Sequence, residues 1–197
     1  MNVFILCTGR SGSTSLIKAC APITNYSSGH ETLSRKYGQE RLSYPDNHIE
    51  GDNRLSWFLA RLDKRFGKEA FYVHLIRDKE ACIQSFMSRW DYQGSILKAY
   101  AQGILLQGHK SLSGIEREAI VADYYDTVNS NIELFLENKP YKMTIHLEEI
   151  QTGFSGLFSK IAAEGDLDAC LSILKSPQNT SQDSRPNLIN RIKNKLS

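Results

Sequence analysis

The strongest constraint on the fold lies within the first nineteen residues. Val3-Phe4-Ile5-Leu6-Cys7 is an unbroken apolar run. A strand carries such a run where both of its faces are buried, as in the middle of a parallel sheet. The run passes directly into Thr8-Gly9-Arg10-Ser11-Gly12-Ser13-Thr14, after which Ser15-Leu16-Ile17-Lys18-Ala19 can begin a helix. A buried strand, a glycine-bearing loop and a helix start together open a strand–helix–strand crossover, the unit from which parallel sheets are built.

The remaining pattern repeats that alternation. Residues 71–76 read as a second strand, 79–90 as the helix that follows it, and 143–147 as a third strand. Leu55, Phe58, Leu59, Leu62 and Phe66 have helical spacing over 53–66, with Gly67 as the stop. Residues 94–107 read as helical. Ile120, Val121, Tyr124, Tyr125, Val128, Ile132 and Phe135 make a long amphipathic stripe that ends before Pro140. Further helices are expected at 154–163 and 167–174. The polar stretch 21–50, broken by Gly, Pro and Asn, reads as loops with one short helix over 32–37. From Ser176 onward the chain is polar and ends in a basic stretch. The expectation is one α/β domain over 1–197, with a mainly parallel sheet and ligands at the carboxyl ends of its strands.

Composition narrows the function. The 24 basic and 22 acidic residues leave a formal net charge of +2, without the basic excess of a general nucleic-acid binder. A few placed arginines could still hold an anionic small molecule. Cys7, Cys20, Cys82 and Cys170 form no CxxC pair, so neither a zinc site nor a disulfide framework is expected. Cys7 and Cys82 read as small buried hydrophobes. The apolar runs are too short to cross a bilayer, and the first strand starts too near Met1 to leave room for a signal peptide. The expected location is the cytoplasm.

The loop after Cys7 has the chemistry of an anion site. Gly9 and Gly12 permit tight turns and close backbone approach to a ligand. Loop N–H groups and the start of the next helix can face an anion. Ser11, Ser13, Thr14 and Ser15 add hydroxyls, and Arg10 adds a planar fork that can grip two oxygens. The alternative is a Ser/Gly-rich surface turn. The loop is not a Walker A sequence, because Gly12 follows Gly9 by three residues and no lysine comes next. Nor does it supply the three glycines of the dinucleotide fingerprint.

Arg10-Ser11-Gly12-Ser13-Thr14 resembles the 5′-phosphosulfate loop of the sulfotransferases, where a basic residue precedes Ser-Gly-Thr-Thr or a close variant. Arginine in place of lysine is similar to the carbohydrate-modifying and bacterial branches. The family's 3′-phosphate element has a strand-end arginine with a serine eight residues later, and Arg77 and Ser85 stand at that spacing. Lys79 replaces the proline usual after the Arg-Asp pair. The resemblance covers the first half of the chain. Beyond Trp90 it rests on the order of elements and on residues 142–150, which look like the family's late strand and acidic turn.

The resemblance implies a P-loop-type three-layer fold and transfer of a sulfuryl group from 3′-phosphoadenosine 5′-phosphosulfate to a small-molecule or carbohydrate acceptor, without a metal. It implies that Gly9, Arg10, Ser11, Gly12, Ser13, Thr14, Ser15, Arg77 and Ser85 bind the donor, with Arg10 also stabilising charge on the leaving phosphate. Glu31 is the first candidate for general base, His30 the second and Asp52 the third. For Asp52 the alternative is a helix N-cap. Arg185 is a candidate to close over the nucleotide, or else part of a solvated tail. His74 and His146 read as structural. Trp90, Tyr92 and Tyr100 are candidates for an acceptor pocket or for the core. Two rival readings stay open: an atypical P-loop kinase or nucleotide hydrolase, and a non-catalytic binder of an anionic nucleotide or polysaccharide.

Overall fold

The structure, a computed structural model, describes residues 1–92, 94–108 and 111–175. Its elements run β1 (Val3–Leu6), α1 (Ser13–Ala19), β2 (Ser27–His30), β3 (His48–Gly51), α2 (Leu59–Phe66), β4 (Phe71–Ile76) and α3 (Lys79–Met87). There follow α4 (Ile96–Ala99), α5 (Gly114–Leu136), β5 (Lys142–His146), α6 (Ile150–Lys160) and α7 (Leu167–Lys175). The five strands form one sheet in the order β2-β3-β1-β4-β5. Every pairing is parallel. This is a three-layer α/β fold, as the alternation of elements requires.

The central strand explains the opening apolar run. Successive side chains of a strand point to opposite faces. Val3, Ile5 and Cys7 accordingly enter one core with Leu16 and Ile17 of α1, Phe154 and Leu157 of α6, and Cys170 of α7. Phe4 and Leu6 enter the other with Leu62 of α2, Phe86 of α3, Leu97 of α4 and Tyr124 of α5. All four β1 residues and the Cys7 that follows them are fully buried. At about 25 cal/mol per Å² of apolar surface, each such side chain contributes roughly 1.5–3 kcal/mol.

Two strands lie where loops were expected, and β3 is not even at the edge. Its sequence, His48-Ile49-Glu50-Gly51, has one large apolar residue, yet all four positions are buried. Side-chain pairing makes this tolerable: His48 Nε2 lies 2.9 Å from Glu50 Oε2, and its Nδ1 lies 2.8 Å from Ser27 Oγ on β2. Glu50 Oε1 accepts from the Thr32 N–H at 2.8 Å. A buried polar group with its bonds satisfied carries no hydropathy signal. Gly51 lets α1 pack directly on the strand, since a Cβ there would meet Ile17 Cγ1 at 2.7 Å.

Other boundaries differ in detail. Residues 32–35 form a turn rather than a helix, and a 3₁₀ segment follows at Gly38–Leu42. The helix expected over 53–66 divides into a 3₁₀ segment, Asn53–Trp57, and α2. The helix begun by α4 passes into a π-helical turn at Tyr100–Ile104. Among the described residues no helix is long and apolar enough to cross a membrane.

The sheet order determines where a ligand can sit. From β1 the chain moves outward to β2 on one side, whereas from β4 it moves to β5 on the other. Neighbouring strands whose connections diverge leave a crevice at their carboxyl ends. The loops after β1 and β4 therefore flank that crevice.

Candidate functional site

The β1–α1 loop is held by an internal network. Gly9, Arg10 and Gly12 all have positive φ, at 84°, 58° and 87°, a region open to glycine and costly for arginine. Thr8 Oγ1 donates to the Gly9 carbonyl at 2.8 Å, and Ser11 Oγ reaches the same carbonyl at 3.1 Å. The Thr8 carbonyl accepts from Tyr124 Oη of α5 at 2.7 Å and from Asn53 Nδ2 at 3.4 Å. Ser11 is buried, so its hydroxyl shapes the loop from inside. Ser13 is also buried, while Thr14 and Ser15 are half-buried in the first turn of α1.

The second motif meets the first. Arg10 Nε donates to Ser85 Oγ at 3.0 Å across 75 positions of sequence. Arg77 Nη1 donates to the Arg10 carbonyl at 3.0 Å. In turn the Arg77 carbonyl accepts from Tyr125 Oη of α5 at 2.7 Å. Arg10, Arg77 and Ser85 thus form one cluster at the crevice between β1 and β4.

A third guanidinium joins them. Burial, the nearby charge of Arg89 and that of Arg77, in that order, push the Arg10 guanidinium below the usual arginine range. Arg89 Nε is buried with no acceptor among the described residues. Like charges held together are mutually repulsive and make a site that an anion relieves. Nothing in the sequence marks Arg89 for this role except its position four residues after Ser85.

Three base candidates occupy different environments. His30 Nε2 lies 3.1 Å from Ser13 Oγ and 3.2 Å from Thr14 Oγ1, beside the loop. Glu31, at φ 54°, is paired through Oε1 with Arg54 Nη1 at 2.8 Å and keeps about a third of its side chain exposed, at 34%. Asp52 is fully buried. It accepts from Arg41 Nη2 at 2.5 Å and caps the following 3₁₀ segment through the Arg54 N–H at 2.8 Å. The cap reading describes Asp52, which has no exposed face to offer a substrate. Arg185 lies outside the described residues.

No protein-family model matches the chain, and no curated protein does.

The remaining candidate side chains divide between the core, which holds His74, Trp90 and Tyr100, and the surface, where His146 and Tyr92 lie. His74 Nε2 bonds Asn129 Oδ1 at 2.9 Å, and burial pushes its imidazole below the ordinary histidine range. His146 is exposed at the end of β5. Trp90 and Tyr100 enter the core on the α5 side, while Tyr92 is exposed. The thiols of Cys7 and Cys20 are pushed up to about 12 by burial; thiols so protonated pack as hydrophobes and do not act as nucleophiles. Among the described residues no group of three or more His, Cys, Asp or Glu could hold a metal ion.

Side chains from the segments 34–58 and 96–104 line an open cavity of about 330 Å³, mainly apolar and including Trp57, Phe58, Ile96 and Tyr100. Arg54 also lines it, so the residue that pairs with Glu31 forms part of its wall.

Proposed function

We propose that this chain is a sulfotransferase that uses 3′-phosphoadenosine 5′-phosphosulfate as donor. One observation carries the reading: Arg10 and Ser85, 75 positions apart, are hydrogen-bonded at 3.0 Å, with Arg77 on the Arg10 carbonyl, at the carboxyl ends of adjacent strands. Two phosphate-type motifs in a single cluster match a donor that carries phosphate on both the 3′ and the 5′ oxygen of one ribose.

The loop N–H groups with Ser13 and Thr14 would hold the 5′-phosphate, and Arg77 with Ser85 the 3′-phosphate. An acceptor hydroxyl attacks sulfur in line. The new O–S bond forms as the bond from sulfur to the 5′-phosphate oxygen breaks, and the electron pair stays on that oxygen. Arg10 stabilises the charge that develops there, and preorganised donors of this kind contribute about 10²–10³ in rate. The acceptor proton passes to the Glu31 carboxylate, which Arg54 orients; a positioned general base contributes about 10²–10⁴. Products are a sulfate ester and adenosine 3′,5′-bisphosphate.

Calorimetric titration with adenosine 3′,5′-bisphosphate tests the donor site, with ATP plus Mg²⁺ as comparison. Micromolar binding of the bisphosphate is expected. Arg10→Ala and Arg77→Ala should each weaken it about 10- to 100-fold, the loss of a charge-assisted hydrogen bond or two. Binding of ATP that depends on Mg²⁺, with none of the bisphosphate, would replace this reading with the kinase.

A further inference from the structure

The cavity beside Arg54 carries information about the acceptor. Its volume of about 330 Å³ stands at the small end of ligand sites, roughly 300–1,000 Å³. Its aromatic wall is continuous: the Trp57 and Tyr100 ring centroids are 6.0 Å apart. The Phe58 ring has the Arg41 guanidinium 5.2 Å from its centroid.

The charged side chains around the cavity already have partners. Arg41 is paired with Asp52, Arg54 with Glu31, and Lys36 with Glu40 at 3.0 Å. The Tyr100 hydroxyl donates to Asp123 and lies 3.3 Å from Thr127 Oγ1, so the cavity receives its ring rather than its polar tip. A hydroxyl-rich guest would leave several of its groups without partners, at a cost of about 1–3 kcal/mol for each one buried. An apolar guest incurs no such cost.

One wall has an uncommon backbone. The π-helical turn at Tyr100–Ile104 closes with Leu105 N–H on the Tyr100 carbonyl at 3.0 Å. It sets Tyr100 and Ile104 on the same side, both facing the cavity. Turns of this type recur at functional sites.

We infer that this cavity is the acceptor site and that the acceptor is a compact, planar, largely apolar compound whose single hydroxyl reaches Glu31 past Arg54. The inference rests on the sulfotransferase reading for its chemistry, and on the cavity alone for its binding.

The test is binding of 2-naphthol, followed by calorimetry in the presence and absence of adenosine 3′,5′-bisphosphate. Methyl β-glucoside serves as the hydroxyl-rich comparison. Ala99→Trp fills the cavity from an exposed helix end, and Ile104→Glu places a charge in its wall from a residue 57% exposed. The expected result is naphthol binding that each variant weakens at least about tenfold, unchanged bisphosphate binding, and no response to the glucoside. Equal naphthol binding by parent and variants, no naphthol binding at all, or preference for the glucoside would each overturn the inference. Naphthol binding sensitive to both variants, without any bisphosphate binding, would keep the cavity as an apolar-ligand site and remove the sulfotransferase reading.

Discussion

Arg41 and Asp52 place opposite charges where water does not reach, at 2% and 0% side-chain exposure. Such a pair is tolerable because both charged groups make further hydrogen bonds. Arg41 also reaches Tyr44 Oη at 3.1 Å and lies over Phe58, while Asp52 accepts the Arg54 N–H. Removing one partner leaves the other charge buried alone, which costs about 3–5 kcal/mol. Arg41→Met should therefore lower stability by that amount in urea denaturation. The double variant Arg41→Met/Asp52→Asn should lose less than the two single variants added together, because no unpaired charge remains. Additive losses would show that the two residues act independently. Asp52 is legible in the sequence as a cap, since it directly precedes a helical segment. Its ion pair is not, because Arg41 lies in a stretch with no periodic signal.

At the scale of elements, two glycines one turn apart on α6 make opposite demands. A Cβ at Gly153 would stand 2.5 Å from Ile145 Cγ2 of β5, with further Ile145 atoms at 3.1 and 3.2 Å. A Cβ at Gly156 would meet Met143 Cε at 3.6 Å, an ordinary contact. Gly153→Val should push α6 off the sheet and cost about 1–3 kcal/mol, as overpacking does. Gly156→Ala should stabilise by roughly 0.5–1 kcal/mol through helix propensity alone. Urea midpoints moving in opposite directions would bear this out, and a shift of the same sign in both would refute the packing argument. Strands β1 and β4 were readable at this scale because both of their faces are apolar. Strands β2 and β3 were not, because β2 is polar and mostly exposed and β3 buries its polar residues in pairs.

The whole molecule joins two cores across one sheet, and the candidate site straddles the loops where the chain's direction diverges. Anion binding there should act on global stability. If adenosine 3′,5′-bisphosphate binds the folded state alone, a hundredfold excess over Kd adds about 2.7 kcal/mol. For a chain of this size that raises Tm by roughly 5–10 °C. Arg77→Ala, with affinity about 10- to 100-fold weaker, should cut the shift to between about half and a sixth of its size in a thermal melt at the same ligand concentration. A shift of full size in that variant would place the ligand elsewhere.

What the sequence determined by itself is local: the strands β1, β4 and β5, most of the helical segments, and the donor-rich loop that follows the first strand. Hydrophobic period and glycine placement act over a few residues, so they can be read along the chain. The tertiary structure decided what depends on distant neighbours. It joined Arg10 to Ser85, gathered Arg89 beside them, paired His48 with Ser27 on the neighbouring strand, and assembled the apolar cavity from segments some forty positions apart. Those contacts arise from the order in which parallel strands are laid into the sheet, and no local pattern of residues encodes that order.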